Sequence, residues 1–158
     1  MGGIPRHNAS GLAFEVLQGA PKIAFLYWYS YYRLIPVDSA RKHSEDPDPS
    51  FFGEEIGHWE GDTLVIDSIG FKDDKVWIDE NANPHSEALH VVERWTRPDA
   101  GQIHVETLIE DPKPEVLREA LYIFADVGRR KSGRGTPRIL VQRKHRRSRS
   151  SGLWSEDR

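Results

Sequence analysis

Cysteine is absent from this chain, and methionine occurs once. Without a thiol there is no disulfide framework, no thiolate metal site and no cysteine nucleophile. Long apolar runs are missing too. No stretch approaches the roughly 18 apolar residues of a membrane-spanning helix, and Met1 to Asn8 hold no apolar signal core. Phosphate-binding loops, dinucleotide fingerprints and EF-hand loops do not occur, and no segment repeats with a period of about 20–50 residues. A soluble chain is expected, with no membrane contact and no cofactor. At 158 residues it has the length of one domain, enough to bury roughly two-thirds of its unfolded surface.

Charge is unevenly spread. Residues 1–127 carry 11 Lys and Arg against 23 Asp and Glu, a net of −12, whereas residues 128–158 carry 11 against 2, a net of +9. A shift this abrupt divides the chain into an acidic domain, 1–127, and a basic tail, 128–158. The tail reads as disordered, with one short strand candidate at Ile139-Leu140-Val141. Lys144 to Arg149 could touch phosphates without reading sequence. No reading module accompanies them, so no specific nucleic-acid partner is expected.

The domain is rich in strand-forming sequence. Ala13 to Gln18 is a short candidate strand. Lys22 to Pro36 is crowded with Ile, Phe, Tyr and Trp, which favour strands, and at fifteen residues it must divide, near Tyr29-Ser30. Residues 38–50 form a polar loop, because Asp46-Pro47 and Asp48-Pro49 forbid regular pairing. Gly53 to Trp59 and Thr63 to Phe71 flank Glu60-Gly61-Asp62 and predict a hairpin. A two-residue Gly61-Asp62 turn puts Trp59 opposite Leu64 and Gly57 opposite Ile66 on one face, with His58 and Val65 on the other. Residues 72–86 read as a charged loop.

A second hairpin joins Glu87–Arg97 to Gln102–Glu110. In its second arm Ile103, Val105, Thr107 and Ile109 alternate with polar positions, the mark of a strand wet on one side. The first arm has two registers. Pairing Arg97 with Gln102 turns His90, Val92 and Arg94 to the dry face; a slip of one residue turns Val91, Glu93 and Trp95 there instead. Glu115 to Val127 fits an amphipathic helix, and Tyr122-Ile123-Phe124 fits a closing strand equally well. The predicted fold is all-β: an antiparallel meander forming a lipocalin-like barrel or curled half-barrel.

Two groups of residues carry chemical promise. His58, His85 and His90 lie among acids that include Glu60, Glu87 and Glu93. Imidazole and carboxylate together could move protons near neutral pH or bind a divalent ion. No His-x-His or His-Glu-x-x-His spacing supports a metal, and none is expected. Ser86 sits between His85 and Glu87, but sequence neighbours rarely meet as a nucleophile, base and orienting acid. The candidate catalytic set is therefore His58, His85, His90 and Glu93. The second group is aromatic. Tyr27, Tyr29, Trp59 and Trp95, with Arg94 for an anionic group, could line a ligand pocket, or the rings could simply fill a core.

The run Gly57-His58-Trp59-Glu60-Gly61-Asp62-Thr63-Leu64-Val65-Ile66-Asp67 is followed by His85-Ser86-Glu87-Ala88-Leu89-His90-Val91-Val92-Glu93-Arg94 and Ile109-Glu110-Asp111-Pro112. With Gly3-Ile4-Pro5-Arg6 and Asp46-Pro47-Asp48-Pro49-Ser50, these segments resemble a widespread family of bacterial proteins, common in soil bacteria with large genomes. The likeness covers roughly residues 3–113. The family has no established activity, so the resemblance implies no catalytic role for any residue. Similar proteins often carry an upstream secretion signal. The chain as written is expected in the cytoplasm, or in the periplasm or medium if such a signal has been lost. After Lys113 the pattern breaks at Arg118-Glu119-Ala120-Leu121-Tyr122-Ile123-Phe124. Codons for these residues, read one base later, can spell a family-like ending, so a frameshifted C-terminal segment is a hypothesis that the gene's nucleotide sequence can test.

Three functions compete at this level. The first is a barrel-like domain that binds a small, partly apolar molecule. The second is a hydrolase, lyase or isomerase on the same scaffold, using a His/Glu acid–base pair. The third is a non-catalytic interaction domain with a polyanion-binding tail. Oligomeric state is not readable.

Overall fold

The computed structural model describes residues 14–28, 31–73, 76–78, 83–113, 121–128 and 144–147. Every regular element among them is a strand. The order is β1 (Phe14–Gln18), β2 (Lys22–Tyr27), β3 (Tyr32–Pro36), β4 (Glu54–Glu60), β5 (Thr63–Ile69), β6 (His90–Asp99), β7 (Gln102–Glu110), β8 (Leu121–Gly128) and β9 (Lys144–Arg147). All strand pairs are antiparallel. Among the described residues no helix is long and apolar enough to cross a membrane.

The strands form two sheets, β1-β2-β3 and β4-β5-β6-β7-β8-β9, which do not close into a barrel. The break falls between β3 and β4. A loop with two Asp-Pro steps stands there in place of a tight turn, and a hairpin cannot form across it. The chain instead returns so that Val37 bridges Gly57 in parallel fashion, with the Asp38 N–H donating to the Gly57 carbonyl at 2.9 Å. This approach is close. A Cβ on Gly57 would stand 3.2 Å from Ile35 Cγ2 and 3.4 Å from the Pro36 carbonyl oxygen.

The first hairpin has the predicted register: Trp59 pairs with Leu64, Gly57 with Ile66 and His58 with Val65. Gly61 makes the turn at φ 59°, a conformation that side-chain-bearing residues resist. The second hairpin takes the slipped register. Trp95 pairs with Val105, Glu93 with Thr107 and Val91 with Ile109, and the pairing shifts between Thr96 and Asp99. That irregularity absorbs the offset at Pro98, which cannot donate to the ladder.

β8 settles the helix-or-strand choice for residues 121–128 in favour of a strand. It pairs along β7 from Gln102 to Ile109, covering an edge that a helix would leave open. Lys144–Arg147, read above as tail, pairs with β8 as β9. The strand candidate at 139–141 and most of the proposed helix's first turns, 115–120, lie outside the described residues.

The sheets pack face to face. Ile23, Phe25 and Tyr27 from β2 and Ile35 from β3 meet Leu64, Ile66, Trp95 and Val105, and Phe14 closes one end. A second cluster of Phe71, Ile78, Leu89, Val91 and Ile109 extends this core beneath the loops. The alternation is clean on β6, where Val91, Glu93 and Trp95 are buried and their neighbours half-exposed. The inner face of the large sheet therefore includes two acids, Glu93 on β6 and Glu55 on β4.

Candidate functional site

Glu93 is fully buried, and so is the group that answers it. Arg33 lies two residues before Ile35 on β3, and strand alternation sends both inward. Its guanidinium ion-pairs with Glu93 through Nη2 and donates from Nε to Glu55 at 2.6 Å. Nη1 donates to the Tyr27 hydroxyl and to Glu93, each at 3.4 Å. The Phe25 ring lies 5.1 Å from the guanidinium carbon, a cation–π contact. Side-chain exposure is 0% for Arg33 and Glu93 and 8% for Glu55. Burial opposes the Arg33 charge, but Glu55 and Glu93 outweigh it and raise its pKa well above the ordinary value. Burial also pushes Glu55 and Tyr27 upward, against the pull of Arg33.

Aromatic rings surround this ion cluster. Phe25 and Trp95 meet at 4.9 Å, and Phe14 touches Phe25, Tyr27 and Trp95 at 5.5–5.9 Å. Phe52 stacks on Tyr27 at 6.3 Å. Among the described residues the Trp95 indole Nε1 is buried without a hydrogen-bond partner, as are Ser68 Oγ, His43 Nδ1 and His85 Nε2. A buried orphan donor costs about 1–3 kcal/mol.

The outer face of the large sheet holds the exposed chemistry. Asp67 on β5 receives His43 Nε2 at 3.0 Å and His90 Nε2 at 3.1 Å on the same carboxylate oxygen. The far nitrogen of each ring faces another acid: His43 Nδ1 lies 3.4 Å from Glu54, and His90 Nδ1 lies 3.3 Å from Glu110. The hydrogen bond His90 donates to Asp67, with smaller help from Glu110, raises the His90 pKa despite partial burial. The same bond lowers Asp67. His90 thus has a carboxylate at each ring nitrogen, an arrangement that favours its protonated form. Further along this face Glu60 accepts from His58 Nε2 at 3.2 Å and from Arg94.

The His85-Ser86 segment does a third job. The Ser86 hydroxyl donates to Asp111 Oδ1 at 2.7 Å, and the Ser86 N–H donates to Oδ2 at 2.6 Å. Ala88 N–H donates to the Ser86 hydroxyl at 3.1 Å, and Lys113 N–H to Asp111 at 3.1 Å. His85 Nδ1 donates to the Ser86 carbonyl at 2.9 Å, not to its hydroxyl, and the ring packs edge-on against Phe71. Ser86 is thus a strut between the loop and the end of β7.

The sequence-derived candidates separate accordingly. Glu93, Tyr27 and Trp95 converge between the sheets. His58 and Arg94 meet through Glu60 on the outer face, and His90 joins Asp67 further along it. His85 lies in the loop, and its hydrogen bond goes to the backbone. Trp59 is on the inner column of β4 but 45% exposed. Tyr29 lies outside the described residues. Arg33, Glu55, His43 and Asp67 were missed. Two had a signal: Arg33 shares a period-two face with Ile35, and Asp67 shares one with Val65. Among the described residues no group of three or more His, Asp or Glu side chains is arranged to hold a metal ion. No family model, curated protein or solved structure matches the chain.

Proposed function

We propose that this protein binds a small, partly apolar molecule between its two sheets, which act as the walls of a curled half-barrel. The observation that carries this reading is the orphan Trp95 N–H, buried among rings and on the same face as the Arg33–Glu93 cluster. A carbonyl or hydroxyl on a flat apolar ligand would satisfy that donor while its body lies against Phe14 and Phe25. Entry requires Phe14, at the start of the edge strand β1, to swing aside, because the rings are in contact. Tyr27 and Arg33 then supply the polar wall.

A thermal-stability screen across small aromatic and terpenoid carbonyl compounds tests this. A ligand at tenfold excess over its Kd adds about 1.4 kcal/mol, and Trp95→Phe should abolish that gain while leaving the unliganded fold intact. A protein whose melting no compound of either class shifts would contradict the reading.

A further inference from the structure

The outer face of the small sheet is largely apolar and, among the described residues, uncovered. Register places its residues in three rows across the strands: Glu15, Leu26 and Tyr32; then Leu17, Ala24 and Leu34; then Gly19, Lys22 and Pro36. Leu17 is 49% exposed, Leu34 50% and Tyr32 65%. Isolated exposed apolar residues are ordinary, but a contiguous set on one sheet face marks a contact surface.

We propose that this face docks against the same face of a second copy of this chain, through a two-fold axis running across the strands over the middle row. Such an axis sets Leu17, Ala24 and Leu34 against their own counterparts. It also sets the first row over the third. Tyr32 then covers the other copy's Pro36. Lys22 lies over the other copy's Leu26, one strand from its Glu15, so each copy gives one Lys22–Glu15 pair. Charge selects this axis. A two-fold running along the strands would stack Lys22 on Lys22 instead. Sheets packed face to face lie about 10 Å apart, within reach of a lysine side chain that lays its stem on a leucine. These nine positions are fewer than the roughly 20–30 residues a side of a standard interface. The pair therefore forms reversibly and separates on dilution.

Sedimentation equilibrium of the full chain over a wide concentration range tests this. The wild-type protein should pass from monomer to dimer. Leu34→Glu sets two charges face to face and should raise the dissociation constant at least about tenfold, equal to about 1.4 kcal/mol, with its circular dichroism melt unchanged. Lys22→Glu should weaken the pair, and adding Glu15→Lys should restore it, an outcome that general stickiness of the apolar face or the basic tail would not give. A wild-type chain that stays monomeric throughout overturns the proposal. So does a dimer that Leu34→Glu leaves intact, or a double charge swap that restores nothing. A monomer that co-sediments with phosphatidylcholine vesicles would assign the face to a lipid surface and equally overturn it.

Discussion

Glu93 and Arg94 are neighbours in the chain and live in different media. Glu93 points between the sheets, where its side chain has no exposure and its partner Arg33 has none either. Arg94 points outward, meets Glu60 in solvent, and keeps 41% of its side chain exposed. Both are one half of an acid–base ion pair. The inner pair was taken out of water at a cost of several kcal/mol per ion and is held by mutual attraction and hydrogen bonds. The outer pair lost little water and gains little. The two faces of one strand thus teach that a charge's environment, more than its partner, sets what it does to stability.

The comparison breaks most sharply at Arg33. Arg33→Ala leaves Glu93 buried without its cation and should cost about 3–5 kcal/mol, read as a fall in the urea midpoint. Replacing Arg33, Glu55 and Glu93 together by apolar residues of similar volume should recover most of that loss, since a well-packed apolar core can match a buried ion cluster. If it does, the cluster's charges are not needed for stability. Next in size is Ser86→Ala. It removes the hydroxyl held by Asp111 at a buried position and should cost about 1–3 kcal/mol in the same assay; an unchanged midpoint would deny Ser86 its role as a strut.

The outer face responds to pH instead. The His90 pKa is raised in the folded state, so its contribution is fully present below its unfolded value of about 6.5 and fades as pH rises through the folded value. The Asp67 pKa is lowered, so its contribution is present above its unfolded value of about 3.9 and fades as pH falls through the folded value. Their bond therefore stabilises most between about pH 4 and 6.5. Asp67→Asn should flatten that part of the stability–pH curve, by under about 1 kcal/mol because both groups are partly solvated. Smallest of all is Arg94→Ala, which should leave the midpoint within error; a clear loss would mean that the outer face is less solvent-screened than its exposure implies.

Legibility followed the range of the forces involved. The Gly61 hairpin was readable because its register depends on a turn and two adjacent strands. The register of the second hairpin was open, since Pro98 permits an offset that only packing against the other sheet selects. The same offset decided that Glu93 and not Arg94 would be buried. For the candidate site, Glu93, Tyr27 and Trp95 could be named without knowing they would meet. Their meeting depends on Arg33, about 60 residues away from Glu93 in the chain, and nothing in local pattern links the two. His85 was a catalytic candidate because acids stand near it in sequence, and Ser86 beside it was set aside as a nucleophile. In the fold the Ser86 hydroxyl pairs with Asp111, 25 residues on, and His85 bonds the Ser86 carbonyl.

Local pattern was enough to read a strand-built domain with a two-residue glycine turn, a one-sided β7 and a loop at the Asp-Pro steps. These follow from side-chain period, β-branching and the missing proline N–H, all local properties. Tertiary structure alone decided that two sheets stack instead of closing, which face each charge occupies, and that an arginine would neutralise two acids in the core. Those outcomes depend on solvent exclusion between distant segments, and exclusion exists only once the sheets have met.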